Sequence, residues 1–200
     1  MTRVLLIRHA TTEATGTHLA GRAAGIGLDG QGRRQAQALA GRLAGLPIAA
    51  IYSSPLQRTL ETAEPIARLL GRETIPCEDF LEIEFGEWTG RAIAGLEDDA
   101  AFRRFNAVRS RAPAAGGEYM LQAQARMVLG LEALRLRHPR QTVVVVGHGD
   151  PIKAAVAYYA GIPLDLFHRL EIDPASVSAI ELGDDAVRIL AVNDTGGAWA

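Results

Sequence analysis

Thr142-Val143-Val144-Val145-Val146-Gly147-His148-Gly149-Asp150-Pro151 joins two kinds of structure without a spacer. Four successive valines make a strand with no polar face, the pattern of a strand buried on both sides. Gly147 breaks the run. Asp150 and Pro151 then read as the N-cap and first turn of a helix. A doubly buried strand feeding a helix is the unit of a parallel sheet covered on both faces.

The same alternation extends outward in both directions. Val4 to Ile7 is a short buried strand, followed by a long glycine-containing loop from Ala10 to Asp29. Gln31 to Leu43 has apolar residues at helical spacing. Ile48 to Tyr52 is a second buried strand. Ser54 is then a candidate N-cap and Pro55 a first helical residue, for a helix that runs to about Leu70 and stops at Gly71. Glu73 to Cys77 is a short third strand, and Met120 to His138 a long amphipathic helix closed by Pro139. Val177 to Leu182 and Val187 to Val192 alternate around Gly183-Asp184-Asp185, as in a hairpin. The expectation is an α/β fold: three layers, α/β/α, around a mainly parallel central sheet. One domain over residues 1–200 is expected, with a small inserted lobe at about 80–117. The terminal hairpin would offer an edge strand to a second copy, giving a homodimer.

Composition narrows the function classes. The 200 residues carry a formal net charge of −2, which argues against a nucleic-acid-binding surface. Cys77 is the only cysteine, so no intramolecular disulfide forms, and no Cys/His cluster has zinc-ligand spacing. No metal and no cofactor are expected. The apolar run at the N-terminus is too short for a signal peptide, and no stretch is long enough to span a bilayer. A soluble cytoplasmic protein, with neither membrane nor nucleic acid as partner, is the expectation. Lys153 is the only lysine; the preference for arginine reads as genome composition.

In open α/β sheets ligands bind outside the carboxyl ends of the strands. The polar residues just past the strands are therefore the candidates. Arg8 and His9 follow the first strand, Ser53, Ser54 and then Arg58 the second, and His148 the valine strand. Two arginines and two histidines thus converge on one rim. Guanidinium forks match phosphate oxygens and keep their charge. Helix N-termini add partial positive charge. A neutral imidazole is a competent nucleophile toward phosphorus, and a second one can donate to an oxygen as charge develops.

Several ordered blocks then resemble the histidine phosphatase superfamily, also called the phosphoglycerate mutase-like family. They are Leu6-Ile7-Arg8-His9-Ala10-Thr11-Thr12, Gly32-Arg33-Arg34-Gln35-Ala36, Tyr52 to Thr59, Leu81 to Gly90, Gly116-Gly117-Glu118, Val146 to Asp150, and Asn193-Asp194-Thr195. The resemblance implies a phosphoglycerate mutase-like fold and a role for each matched residue. His9 would be the phosphorylated nucleophile, Arg8 and Arg58 the phosphoryl clamp, and His148 the stabiliser of the phosphoryl oxygens. Glu82, which the residues alone do not single out, would be the proton donor. Thr12, Thr15, Gly149 and Arg22 complete the expected substrate-binding set. Thr15 stands where many members carry asparagine, and Ala10 where the usual residue is glycine. The implied activity is metal-independent hydrolysis of a small phosphorylated metabolite through a phosphohistidine on His9. A phosphate or sulfate would be expected in the pocket. A phosphomutase and a non-catalytic phospho-ligand-binding regulator are the alternatives. The short chain favours the phosphatase over the mutase, and retention of all five residues disfavours the regulator. His18 reads as solvent-facing, His138 and His168 as structural, and Trp88 as packing.

Overall fold

A computed structural model describes residues 1–196; the last four positions of the domain expected over 1–200 lie outside the described residues. Six strands form one sheet: β1 (Thr2–Arg8), β2 (Ile48–Ser53), β3 (Thr74–Pro76), β4 (Thr142–Gly147), β5 (Val177–Leu182) and β6 (Val187–Asp194). Their order is β3-β2-β4-β1-β5-β6. The first four in that order run parallel, while β5 is antiparallel to β1 and β6 to β5. The sheet is therefore mainly parallel, with the expected hairpin at one edge.

The valine strand lies between β2 and β1, buried on both faces. Val144 and Val146 pack with Leu5, Ile7 and Ile51 against α1 (Gly30–Arg42) and α2 (Gln57–Leu70). Val143 and Val145 face the other way with Val4 and Leu6, against α4 (Met120–Arg137) and α5 (Gly149–Ala160). The period of two along a strand divides the core into these halves, and the result is the three-layer α/β/α arrangement.

A third apolar cluster stands apart from the sheet. Ile83, Phe85, Trp88, Leu96 and Phe105 pack there with Met120 and Phe167. It joins irregular chain and α3 (Ala100–Ala107) to the start of α4 and the middle of α5. Two glycines let the backbones of this region cross closely. A Cβ on Gly117 would sit 2.1 Å from the carbonyl oxygen of Glu84, and one on Gly86 2.3 Å from that of Ala115.

Two helix starts differ from the expectation. Helix α2 begins at Gln57, with Leu56 as its N-cap, so neither Ser54 nor Pro55 opens it. The Ser54 hydroxyl lies 2.9 Å from Nε2 of His148 and keeps only a long local bond, from the Leu56 N–H at 3.4 Å. Helix α5 begins at Gly149 with His148 as N-cap, which places Asp150 inside the first turn. The Asp150 carboxylate is turned to Arg109, with Nη1 at 3.1 Å, and does not cap the backbone. In both cases a tertiary partner claims the side chain that local propensity assigns to the cap.

Candidate active site

Arg8 and Gly147, the last residues of β1 and β4, are register partners. The next residue on each strand is therefore a neighbour of the other, and these are His9 and His148. Their rings meet edge to face with centroids 5.3 Å apart, and the His9 N–H donates to the Gly147 carbonyl at 2.9 Å.

His9 is buried, and its Nδ1 lies 2.8 Å from the carbonyl oxygen of Ala10. A carbonyl only accepts, so Nδ1 carries the ring proton and the lone pair is on Nε2. Burial, followed by the charges of Arg58 and Arg8, lowers the His9 pKa to about 3. The ring is neutral at physiological pH, the state a nucleophile requires.

His148 is fully buried between Ser54 and Arg58. Nη2 of Arg58 lies 3.2 Å from His148 Nδ1. Burial first, then the Arg58 charge, pushes its pKa well below the usual histidine value. The Ser54 hydroxyl can donate to Nε2 or accept from it. Arg58 only donates, so here Nδ1 accepts and Nε2 gives its proton to Ser54. Because the hydroxyl can also donate, the tautomer can reverse and present an N–H at Nδ1, 3.8 Å from the Glu82 carboxylate, to an oxyanion.

Arg58 is 1% exposed. Its Nη2 also donates to the Gly21 carbonyl at 2.7 Å. Its Nε and Nη1, and the Nε of Arg8, have no hydrogen-bond partner among the described residues. Buried donors without acceptors are costly, and an oxyanion beside His9 would satisfy them. Nη1 of Arg8 is held by the Ile172 carbonyl at 2.6 Å.

Glu82 comes from irregular chain between two short 3-10 turns. Its side chain is 14% exposed, and Oε1 accepts from the Ile83 N–H at 2.9 Å. Burial, helped by the negative charge of Asp150 and opposed by Arg58, pushes its carboxyl pKa up to about 7. It is thus poised to give a proton near neutrality and take one back.

Arg8, His9, Arg58 and Glu82 line a cavity of about 290 Å³ together with Thr12, Thr15 and Gly149, whereas His148, in ring contact with His9, is not itself among the lining residues. Thr12 and Thr15 share a hydroxyl contact of 3.2 Å at the cavity wall. Arg22 is placed differently from the expectation, because it is not among the lining residues. Its Nε donates to the Glu82 backbone carbonyl at 2.8 Å, and its Nη2 pairs with Glu118. Arg126 donates to the same carbonyl at 3.0 Å and to Glu118 at 3.1 Å. Two arginines bridged by one carboxylate thus grip the backbone of Glu82 from behind. The long cation on a glycine-rich loop points to a backbone carbonyl and not to the cavity.

The cavity also holds residues that sequence reasoning did not select. His18, read as solvent-facing, lines it, as do Phe85, Asp150 and Lys153. No spacing rule marks them; their shared feature is position on the loops and helix start above the sheet. His138 accords with a structural reading, bonded to the Tyr52 hydroxyl at 2.9 Å. Among the described residues no group of three or more His, Cys, Asp or Glu side chains is arranged to hold a metal ion, and no helix is long and apolar enough to cross a membrane.

The sequence pattern of the histidine phosphatase superfamily (branch 1) matches residues 4–195. The chain belongs to this superfamily. It is 34% identical over 200 residues to phosphoserine phosphatase 1 of Hydrogenobacter thermophilus, covering 98% of this chain and 93% of that protein. It is 36% identical over 199 residues to a bifunctional protein of Mycobacterium tuberculosis, covering 98% of this chain but 54% of that longer protein. A phosphoserine phosphatase mutant from Entamoeba histolytica, solved in complex with phosphoserine, superposes with a TM-score of 0.88 at 27% identity, covering 98% of each chain. The chain is an enzyme of the class these histidine phosphatases represent, the phosphoric monoester hydrolases.

Proposed function

We propose that this histidine phosphatase hydrolyses a small phosphomonoester without a metal ion, through a phosphohistidine on His9. One observation carries the reading: Nδ1 of His9 is committed to the Ala10 carbonyl, and burial with two arginines keeps the ring neutral. Nε2 is then the free nucleophile, in a cavity where buried guanidinium donors await an oxyanion.

In the first step His9 Nε2 attacks phosphorus and the ester P–O bond breaks. Glu82 gives its proton to the departing alkoxide. The proton on Nδ1 stays directed at the Ala10 carbonyl, which accommodates the positive charge developing on the ring. Arg8, Arg58 and an N–H of His148 hold the phosphoryl oxygens as their charge redistributes. In the second step the Glu82 carboxylate takes a proton from water, the water oxygen attacks phosphorus, and the N–P bond breaks. Inorganic phosphate leaves, and Glu82 is protonated for the next cycle. Thr12, Thr15 and the backbone of Gly149 complete the substrate pocket.

The test uses p-nitrophenyl phosphate and an excess of chelator. The protein should hydrolyse it, His9→Ala should abolish hydrolysis, and rapid quenching should trap an acid-labile phosphate on the His9 peptide. Strict dependence on added metal, or activity that survives His9→Ala, overturns the reading. Phosphoryl transfer to a second hydroxyl in place of water would make the enzyme a mutase.

A further inference from the structure

Beyond the phosphoryl clamp, the cavity continues to Asp150 and Lys153 on the first turns of α5. Lys153 is the only lysine in the chain, and its side chain is 14% exposed. It lies four residues after Gly149, hence on the same face of the helix. Helical side chains lean toward the N-terminus, so the Lys153 stem runs back toward Gly149. There Arg8 packs so closely that a Cβ on Gly149 would sit 3.3 Å from its Nε. A second tie fixes the same neighbourhood. The Ile172 carbonyl accepts from Arg8 at 2.6 Å, and the adjacent residue Glu171 reaches Lys153 Nζ at 3.6 Å. A mostly covered lysine side chain thus shares the cavity with the clamp, and no step of phosphoryl transfer uses it.

Its protein partner holds it loosely. Glu171 is 77% exposed, and exposed ion pairs contribute only about 0–1 kcal/mol. A carboxylate brought in by a ligand would displace Glu171 at little cost and bond the ammonium in a drier place. We propose that Lys153 is a specificity-determining residue that binds a carboxylate of the substrate, beside the phosphoryl group held by Arg8 and Arg58. The assignment rests on the phosphatase reading above. A carboxylate fits better than a second phosphate for two reasons. A single ammonium balances the whole charge of a carboxylate but only half that of a phosphate dianion. The Asp150 carboxylate on the same cavity wall also repels a dianion more than a monoanion.

The experiment compares kcat/KM for O-phosphoserine and 3-phosphoglycerate with O-phosphoethanolamine and glycerol phosphate, which lack the carboxylate. The unmodified protein should favour the carboxylate esters, and Lys153→Met should reduce that preference at least tenfold. Lys153→Arg should restore most of it. An absent preference in the unmodified protein, a preference for a bisphosphate, or equal losses on all four esters in Lys153→Met overturns the proposal. A second measurement needs no substitution at 153. An amine-acylating reagent can reach only Lys153 and the N-terminal amine, because there is no other lysine. In His9→Ala protein, 3-phosphoglycerate should slow acylation of Lys153 and glycerol phosphate should not; equal protection by both also overturns it. Failure of the phosphatase reading looks different: p-nitrophenyl phosphate would not be turned over by the unmodified protein, or His9→Ala would still turn it over.

Discussion

Nδ1 of His9 lies 2.8 Å from the carbonyl oxygen of Ala10, and this contact leaves the ring lone pair on Nε2. Burial separates the two titrations of the site, lowering the imidazole and raising the carboxyl. His9 is held down to about 3 and Glu82 is pushed up to about 7, so neutral imidazole and protonated carboxyl coexist between those values. Groups driven apart in this way are the signature of an acid and a nucleophile sharing one pocket.

The pH profile of kcat/KM should therefore be limited on its alkaline side by Glu82. For an alkyl phosphate it should fall about tenfold per pH unit above pH 7. His9 should impose no acid limb until pH approaches 3. The measurement is corrected for the second ionisation of the ester, near about 6. An alkaline limb that persists in Glu82→Gln would assign it to another group.

Leaving-group dependence tests the proton donor directly. Glu82→Gln should cost about 10²–10⁴-fold in kcat on an alkyl phosphate and much less on an aryl phosphate, whose leaving group needs no proton. Equal losses on both esters would remove Glu82 from that role.

The same carboxyl makes folding stability depend on pH. Folding raises the Glu82 pKa from 4.5 to about 7, so the native state binds more protons in that window and stability falls as pH rises through it. For His9 folding lowers the value from 6.5 to about 3, so its contribution is lost as pH falls through that window. Glu82→Gln should then be more stable than the unmodified protein at pH 8, by on the order of 1–3 kcal/mol, and the gain should vanish near pH 4. Urea unfolding at both pH values measures this, and a constant difference would contradict it.

Arg22 should affect the proton donor and not substrate affinity. Its guanidinium meets the Glu82 carbonyl and Glu118 behind the cavity. Arg22→Met should lower kcat on alkyl phosphates while leaving KM within about twofold. A rise in KM with kcat intact would return Arg22 to substrate binding.

The close backbone crossing at Gly117 should tolerate no side chain. A Cβ there would sit 2.1 Å from the Glu84 carbonyl oxygen. Gly117→Ala should destabilise the protein by about 1–3 kcal/mol or more, visible as a lower Tm. An unchanged Tm would show that the crossing relaxes freely.

The sheet and its rim were legible in the sequence because their signals are local. A run of valines, a following glycine and a histidine suffice to place His148, and the same logic places Arg8, His9 and Arg58. Glu82 was not legible from its own residues. It rides on irregular chain with no period, held by Arg22 and Arg126 from distant segments. Ser54 and Asp150 were misread as helix caps because their real partners, His148 and Arg109, are remote in sequence. Lys153 gave no signal either, since a lone lysine on a helix reads as a solvated side chain until the cavity wall is known.

The pairing of Arg8 with Gly147 reaches beyond packing. Side chains alternate between the two faces of a strand, so a slip of one position between β1 and β4 would turn the apolar faces out of phase and part the two imidazoles. The paired imidazoles of His9 and His148 therefore have no separate existence as a local motif. They are a by-product of strand alignment, and a chain that has collapsed without aligning would be compact, helical and inert. Turnover in this protein is a gauge of correct strand alignment, and recovery of activity during refolding should lag collapse and coincide with the locking of the parallel sheet.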